Sequence, residues 1–117
     1  KTTTTYLIKS ILENAGYKAG LIGTIGNYIN NEELNTSRTT PNSLELNKLF
    51  YEMKKQDIEY VVMEVSSHAI DLKRIFNLKF EIAVFTNISQ DHLDYHKTFK
   101  NYLEVKSRLF KKVKSNG

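Results

Sequence analysis

Hydrophobic positions along the chain switch repeatedly between two periods. Leu7, Ile8, Ile11, Leu12 and Ala15 recur at helical spacing, and Gly16 is a natural stop for that helix. Ala19–Ile25 then reads as a short strand, followed by a polar loop from Gly26 to Thr39. A second helix is predicted from near Pro41, with Leu46, Leu49, Phe50 and Met53 on one face. Proline suits the first helical position because the N–H it lacks would have had no partner there. Tyr60–Val65 (YVVMEV) is a β-branched apolar run of the kind that forms strands buried on both faces. A short helix over His68–Ile75, a second buried strand over Phe80–Thr86 and a last helix over Thr98–Val113 complete the series. Alternating helices and buried strands predict an α/β fold, three layers deep, around a mostly parallel sheet with right-handed crossovers.

In such sheets, ligands collect outside the carboxyl ends of the strands. That rule puts Ser66–His68, Asn87–His92 and Gly23–Gly26 along one rim. Composition narrows the chemistry available there. The absence of cysteine excludes disulfides, thiolate metal sites and cysteine nucleophiles. No run approaches the ~18 apolar residues of a membrane span. The opening KTTTTYLIKS has no basic segment followed by an apolar stretch of the secretory kind; the expected location is cytoplasmic. A net charge of +4 leaves room for an anionic partner. The densest basic stretch, Lys111, Lys112 and Lys114, reads as a solvated helix end rather than a nucleic-acid module. Neither a nucleic-acid nor a membrane partner is expected.

Several residues are chemically out of the ordinary. Lys1-Thr2 ahead of a helix matches the end of a phosphate-binding loop, where the lysine meets the β/γ-phosphates and the hydroxyl binds magnesium. A frayed terminus with a capping threonine fits the same two residues. Glu64 interrupts the YVVMEV run, and a carboxylate there is costly unless a cation meets it. Magnesium takes oxygen ligands and needs only one or two carboxylates beside substrate phosphates. Asp91-His92-Leu93-Asp94-Tyr95-His96 concentrates acids and imidazoles just past the next strand, although a merely polar loop would look similar. Thr39 and Thr40, ahead of Pro41, suit either a helix cap or an anion-binding helix N-terminus. In the last helix Phe99, Tyr102, Leu103, Leu109, Phe110 and Val113 form an apolar stripe, and Lys106 lies midway along it. A lysine so placed snorkels outward, is paired, or loses its charge. As a neutral amine it can take up carbon dioxide and become a carbamate, a carboxylate-like ligand.

Taken together and in this order, Lys1-Thr2-Thr3-Thr4-Thr5, Thr39-Thr40-Pro41, Glu64-Val65-Ser66-Ser67-His68, Phe85-Thr86-Asn87 and Asp91-His92-Leu93-Asp94-Tyr95-His96, with Lys106 downstream, resemble the central ATPase domain of the Mur ligases. The MEVSSH and DHLDYH strings resemble most closely the branch that extends UDP-N-acetylmuramoyl-L-alanyl-D-glutamate. The resemblance spans nearly the whole chain. It implies a P-loop-type domain using ATP and Mg2+. Lys1, Thr2 and Asn87 would face the nucleotide, and Thr2, Glu64, His92 and a carbamylated Lys106 would face metal. Thr39, Thr40, Ser66 and Arg74 would hold the UDP-muramoyl dipeptide, and Lys1 and Lys106 would be the catalytic lysines. The implied reaction is ADP-forming amide ligation of a diamino acid, lysine or meso-diaminopimelate, in peptidoglycan synthesis. It further implies that residues 1–117 form part of the central domain, beginning inside the phosphate loop, and are inactive without flanking domains. Two departures stand out: Lys97-Thr98 replaces a glycine-threonine pair, and in Leu72-Lys73-Arg74 only the arginine matches. Another ligase on the same domain, sister Mur or cyanophycin type, and a non-catalytic anion-binding module are the competing readings.

Overall fold

The computed structural model describes residues 2–24, 26–29, 32–34, 42–75, 78–86 and 99–113. Two compact units divide the chain, Lys1–Val65 and Ser66–Gly117.

In the first unit, α1 (Thr2–Asn14) leads into β1 (Ala19–Ile22), β2 (Asn27–Ile29) and β3 (Glu32–Leu34). Then α2 (Ser43–Lys55) leads into β4 (Tyr60–Met63). Their sheet has the order β3-β2-β1-β4. β1 and β4 are parallel, with Ala19 opposite Tyr60 and Ile22 opposite Met63. β2 and β3 extend the sheet antiparallel, so it is mixed among the described strands. β1 is its buried centre: Ala19, Gly20, Leu21 and Ile22 are all shielded, as a strand paired on both edges requires. Leu46, Leu49 and Met53 of α2 are buried as their spacing predicts. Gly20 leaves room for Met53, since a Cβ there would lie 2.8 Å from the methionine methyl carbon.

Among the described residues one device ends the three helices that precede position 75. Past α1, Gly16 (φ 92°) donates to the Glu13 carbonyl and Tyr17 to that of Leu12. Past α2, Asp57 (φ 59°) donates to Lys54 and Ile58 to Met53. Past α3 (Ser67–Asp71), Lys73 (φ 58°) donates to Ile70 and Arg74 to Ala69. Each is a Schellman closure, which satisfies carbonyls the helix leaves open and needs a left-handed residue. Only the first uses glycine. At its other end α2 is capped by Asn42, whose side-chain oxygen accepts from the Glu45 N–H at 2.9 Å.

The second unit holds α3, α4 (Phe99–Ser107) and a 3-10 turn, Arg108–Lys112. Ala69, Ile70, Ile75 and Val105 form its buried apolar part. Arg108 ties the elements at its surface, 3.4 Å from Asp71 and 3.6 Å from Glu104.

Four sequence expectations fail. Gly26–Thr39 contains β2 and β3 rather than only loop, because antiparallel pairing with β1 satisfies its backbone despite polar side chains. Phe80–Thr86 is not a strand: among the described residues its only bridge is Phe80 to Val113, and Ile82, Val84 and Phe85 are exposed. High β-propensity does not make a strand without a partner for its backbone. β4 is half-open rather than buried on both faces, since it is the end strand of the described sheet. Finally, α1 buries Thr5 and Lys9 and exposes Leu7 and Ile11. The hold on Thr2 described next turns the threonine side of that helix inward.

Candidate functional site

Glu64 directly follows β4, and its N–H donates to the Ile22 carbonyl at 2.8 Å, extending the parallel ladder by one residue. The register therefore aims its carboxylate at the β1 end, where the chain turns back through Gly23 and Thr24. Only 3% of Glu64 is exposed. A carboxylate so buried requires donors, and three are present. Thr2 Oγ1 at the start of α1 donates to Oε1 at 2.9 Å. The Thr24 N–H donates to Oε2 at 2.6 Å, and Thr24 Oγ1 lies 3.4 Å from Oε1. The first residue of α1 and the strand-end carboxylate thus meet, though 62 positions apart in sequence.

Gly23 has a steric reason to be glycine: a Cβ there would overlap Glu64 Oε2. Its N–H is held by the Gly26 carbonyl at 3.1 Å and by Asn27 Oδ1 at 3.3 Å. Asn27 is fully buried. Thr24 went unread as a carboxylate partner. Its signal was a Gly-Thr-x-Gly turn after a buried strand, which locates a rim without saying which group it serves.

In the second unit, Ser66 caps α3: its Oγ accepts from the Ala69 N–H at 3.1 Å. Arg74 closes that helix through its backbone and is half-buried. Lys106 is 9% exposed, and its Nζ lies 6.0 Å from the centre of the Phe85 ring. Of the outcomes the spacing left open, outward snorkelling is not the one seen, since the residue is buried. The stripe around it is less complete than predicted, because Leu103 and Phe110 are exposed and Val105 is buried instead.

Lys1, Thr39, Thr40, Asn87 and His92 lie outside the described residues. Among the described residues no three acidic or histidine side chains converge. What does converge, the Glu64 carboxylate and the Thr2 hydroxyl, is a pair of hard oxygen donors suited to magnesium. No described helix is long and apolar enough to cross a membrane.

A helix opening on threonine, set against a carboxylate at the end of a parallel strand, marks an α/β domain with polar groups gathered at a strand end. The family comparison is more specific. The Mur ligase middle domain matches residues 1–117, and the chain belongs to that family. A 2,6-diaminopimelate ligase of UDP-N-acetylmuramoyl-L-alanyl-D-glutamate from Clostridium botulinum is 54% identical over 116 residues, covering 99% of this chain and 24% of the relative. Its counterpart from Clostridium acetobutylicum, ligase 1, is 57% identical over 114 residues, covering 97% of this chain and 24% of the relative. A solved structure of a ligase with that name superposes with a TM-score of 0.86 at 35% identity, covering 97% of this chain and 23% of that one. The chain thus spans about a quarter of the length of the relatives it matches.

Proposed function

We propose that this chain is the ATP-handling domain of a cytoplasmic ligase that joins 2,6-diaminopimelate to UDP-N-acetylmuramoyl-L-alanyl-D-glutamate in peptidoglycan synthesis. The names of relatives at 54% and 57% identity support the substrate pair. The observation that carries the mechanism is the bond from Thr2 to the buried Glu64 carboxylate.

In this reading the D-glutamyl carboxylate attacks the γ-phosphorus of ATP, forming an acyl phosphate and releasing ADP. The amine of the diamino acid then attacks the acyl carbon, the amide C–N bond forms, and phosphate leaves. The first step brings two anions together and the second expels phosphate, so the protein's work is alignment and charge neutralisation. Lys1 meets the terminal phosphates, and Asn87 contacts the nucleotide. Thr2 and Glu64 offer oxygen ligands at the phosphate side, and His92 with Lys106 offers a second ligand set. Magnesium bound there supplies positive charge to the phosphoryl oxygens. Lys106 joins that set as a carbamate, formed when its neutral amine attacks CO2 and loses a proton. The inward position of the lysine, only 9% exposed, supports this by setting the amine in an enclosed place. Thr39, Thr40, Ser66 and Arg74 hold the UDP-muramoyl dipeptide.

The test is a full-length ligase containing this domain, supplied with ATP, Mg2+, the UDP-muramoyl dipeptide and either meso-diaminopimelate or L-lysine. Mass spectrometry of the UDP-linked product should show the diaminopimelate adduct with one ADP released per adduct. ADP release indifferent to both acceptor and amino acid contradicts the proposal.

A further inference from the structure

We infer that the hairpin joining β1 to β2 is a carboxylate clamp, and that Thr24 and Gly23 are positioning residues for Glu64. The inference rests on the ligase reading above and adds to it a role for two residues of the Gly23–Gly26 rim. Thr24 reaches both Glu64 oxygens, through its N–H on Oε2 and its hydroxyl near Oε1. Donors on both oxygens fix the plane of the carboxylate, whose terminal torsion is otherwise broad. The shortest of these bonds, 2.6 Å, runs from the Thr24 N–H to Oε2. Thr2, bound to Oε1, is thereby held at a set distance from the same plane.

Gly23 is what lets the clamp close. The three heavy atoms nearest to a Cβ at this position all belong to the Glu64 side chain: Oε2, Cδ and Cγ. An alanine here displaces the flexible acid rather than the backbone, which is braced by Gly26 and by the wholly buried Asn27. A ligand pair made of Glu64 and Thr2 therefore depends on a hairpin that itself contributes no ligand. Groups that orient metal ligands from behind commonly change metal affinity about 10- to 100-fold when lost.

The experiment titrates Mn2+, read by electron paramagnetic resonance, into full-length ligase holding a non-hydrolysable ATP analogue. Steady-state KM values for Mg2+ and for the UDP-muramoyl dipeptide are measured alongside. Gly23→Ala is expected to weaken Mn2+ binding about tenfold or more and to raise the Mg2+ KM, with the dipeptide KM unchanged. Thr24→Val should weaken Mn2+ binding several-fold, and Thr24→Ser should restore it. If Gly23→Ala does not fold, the valine–serine contrast carries the test. Wild-type Mn2+ affinity in both Gly23→Ala and Thr24→Val, or no difference between Thr24→Val and Thr24→Ser, overturns the clamp. Glu64→Gln separates the two levels: unchanged Mn2+ affinity in that variant removes the ligase-site reading and the clamp with it. Lost affinity there, with the hairpin variants unaffected, removes the clamp alone.

Discussion

Replacing Glu64 by glutamine separates what the carboxylate does for the fold from what it does for catalysis. The amide keeps the shape and removes the charge. With its carbonyl in the Oε2 position it still accepts the Thr24 N–H, now as a neutral bond. A hydrogen bond to a charged group is worth about 1.5–3 kcal/mol and a neutral one about 0.5–1.5, so roughly 1–2 kcal/mol is lost at that contact. The amide NH2 then faces the hydroxyls of Thr2 and Thr24, at the 2.9 and 3.4 Å positions, and each can rotate to accept. Against this loss stands the desolvation of an ion only 3% exposed, a penalty of several kcal/mol that the amide escapes. The relief is at least as large as the loss, so Glu64→Gln should unfold no earlier than wild type on heating. Ligation is different, because the variant lacks the anionic ligand, and turnover should fall at least about a hundredfold. Scanning fluorimetry of the full-length ligase and an ADP-release assay give the two readings from one preparation. Wild-type turnover with wild-type Mg2+ dependence refutes the catalytic assignment. A loss of more than about 3 kcal/mol of stability shows instead that the carboxylate is chiefly a structural anchor.

Other substitutions have equally definite outcomes. Lys106→Ala in the full-length ligase should nearly abolish amide formation, and millimolar acetate or formate should partly restore it by standing in for the carbamate; normal activity of the variant rules the carbamate out. Gly20→Val drives a side chain into Met53, so it should cost about 1–3 kcal/mol by overpacking, measured by urea denaturation. Asn42→Ala removes the acceptor for the Glu45 N–H and should cost about 1 kcal/mol in the same measurement. Lys73→Gly relieves a left-handed non-glycine residue at the end of α3 and should stabilise by about 1 kcal/mol.

Much of this architecture was legible because burial and periodicity agree. The spacing of Leu46, Leu49 and Met53 marked α2, Gly16 marked the stop of α1, and the apolar runs marked β1 and β4. Glu64 stood out because a charge inside an apolar run must be compensated, and the compensation is found in Thr2 and Thr24. Lys106 stood out for the same reason and is buried. The failures share one cause: side-chain pattern is local, whereas pairing is not. Glu32-Glu33-Leu34 has the composition of a loop, yet it pairs with β2. Phe80–Thr86 has the composition of a core strand, yet among the described residues only Phe80 bridges. On α1, apolar spacing pointed to Leu7 and Ile11, but one polar anchor at Thr2 set which face turns inward. Thr24 was unreadable as a partner of Glu64 because the contact joins a hairpin to the end of a strand 40 positions away.

Following an oxygen atom through the reaction tests the central claim most directly. The D-glutamyl carboxylate of the UDP-muramoyl substrate is labelled with 18O and turned over by the full-length ligase with ATP and diaminopimelate. The account predicts one 18O in each inorganic phosphate released, carried there when the amine displaces the acyl phosphate. Unlabelled phosphate alongside normal product formation contradicts it.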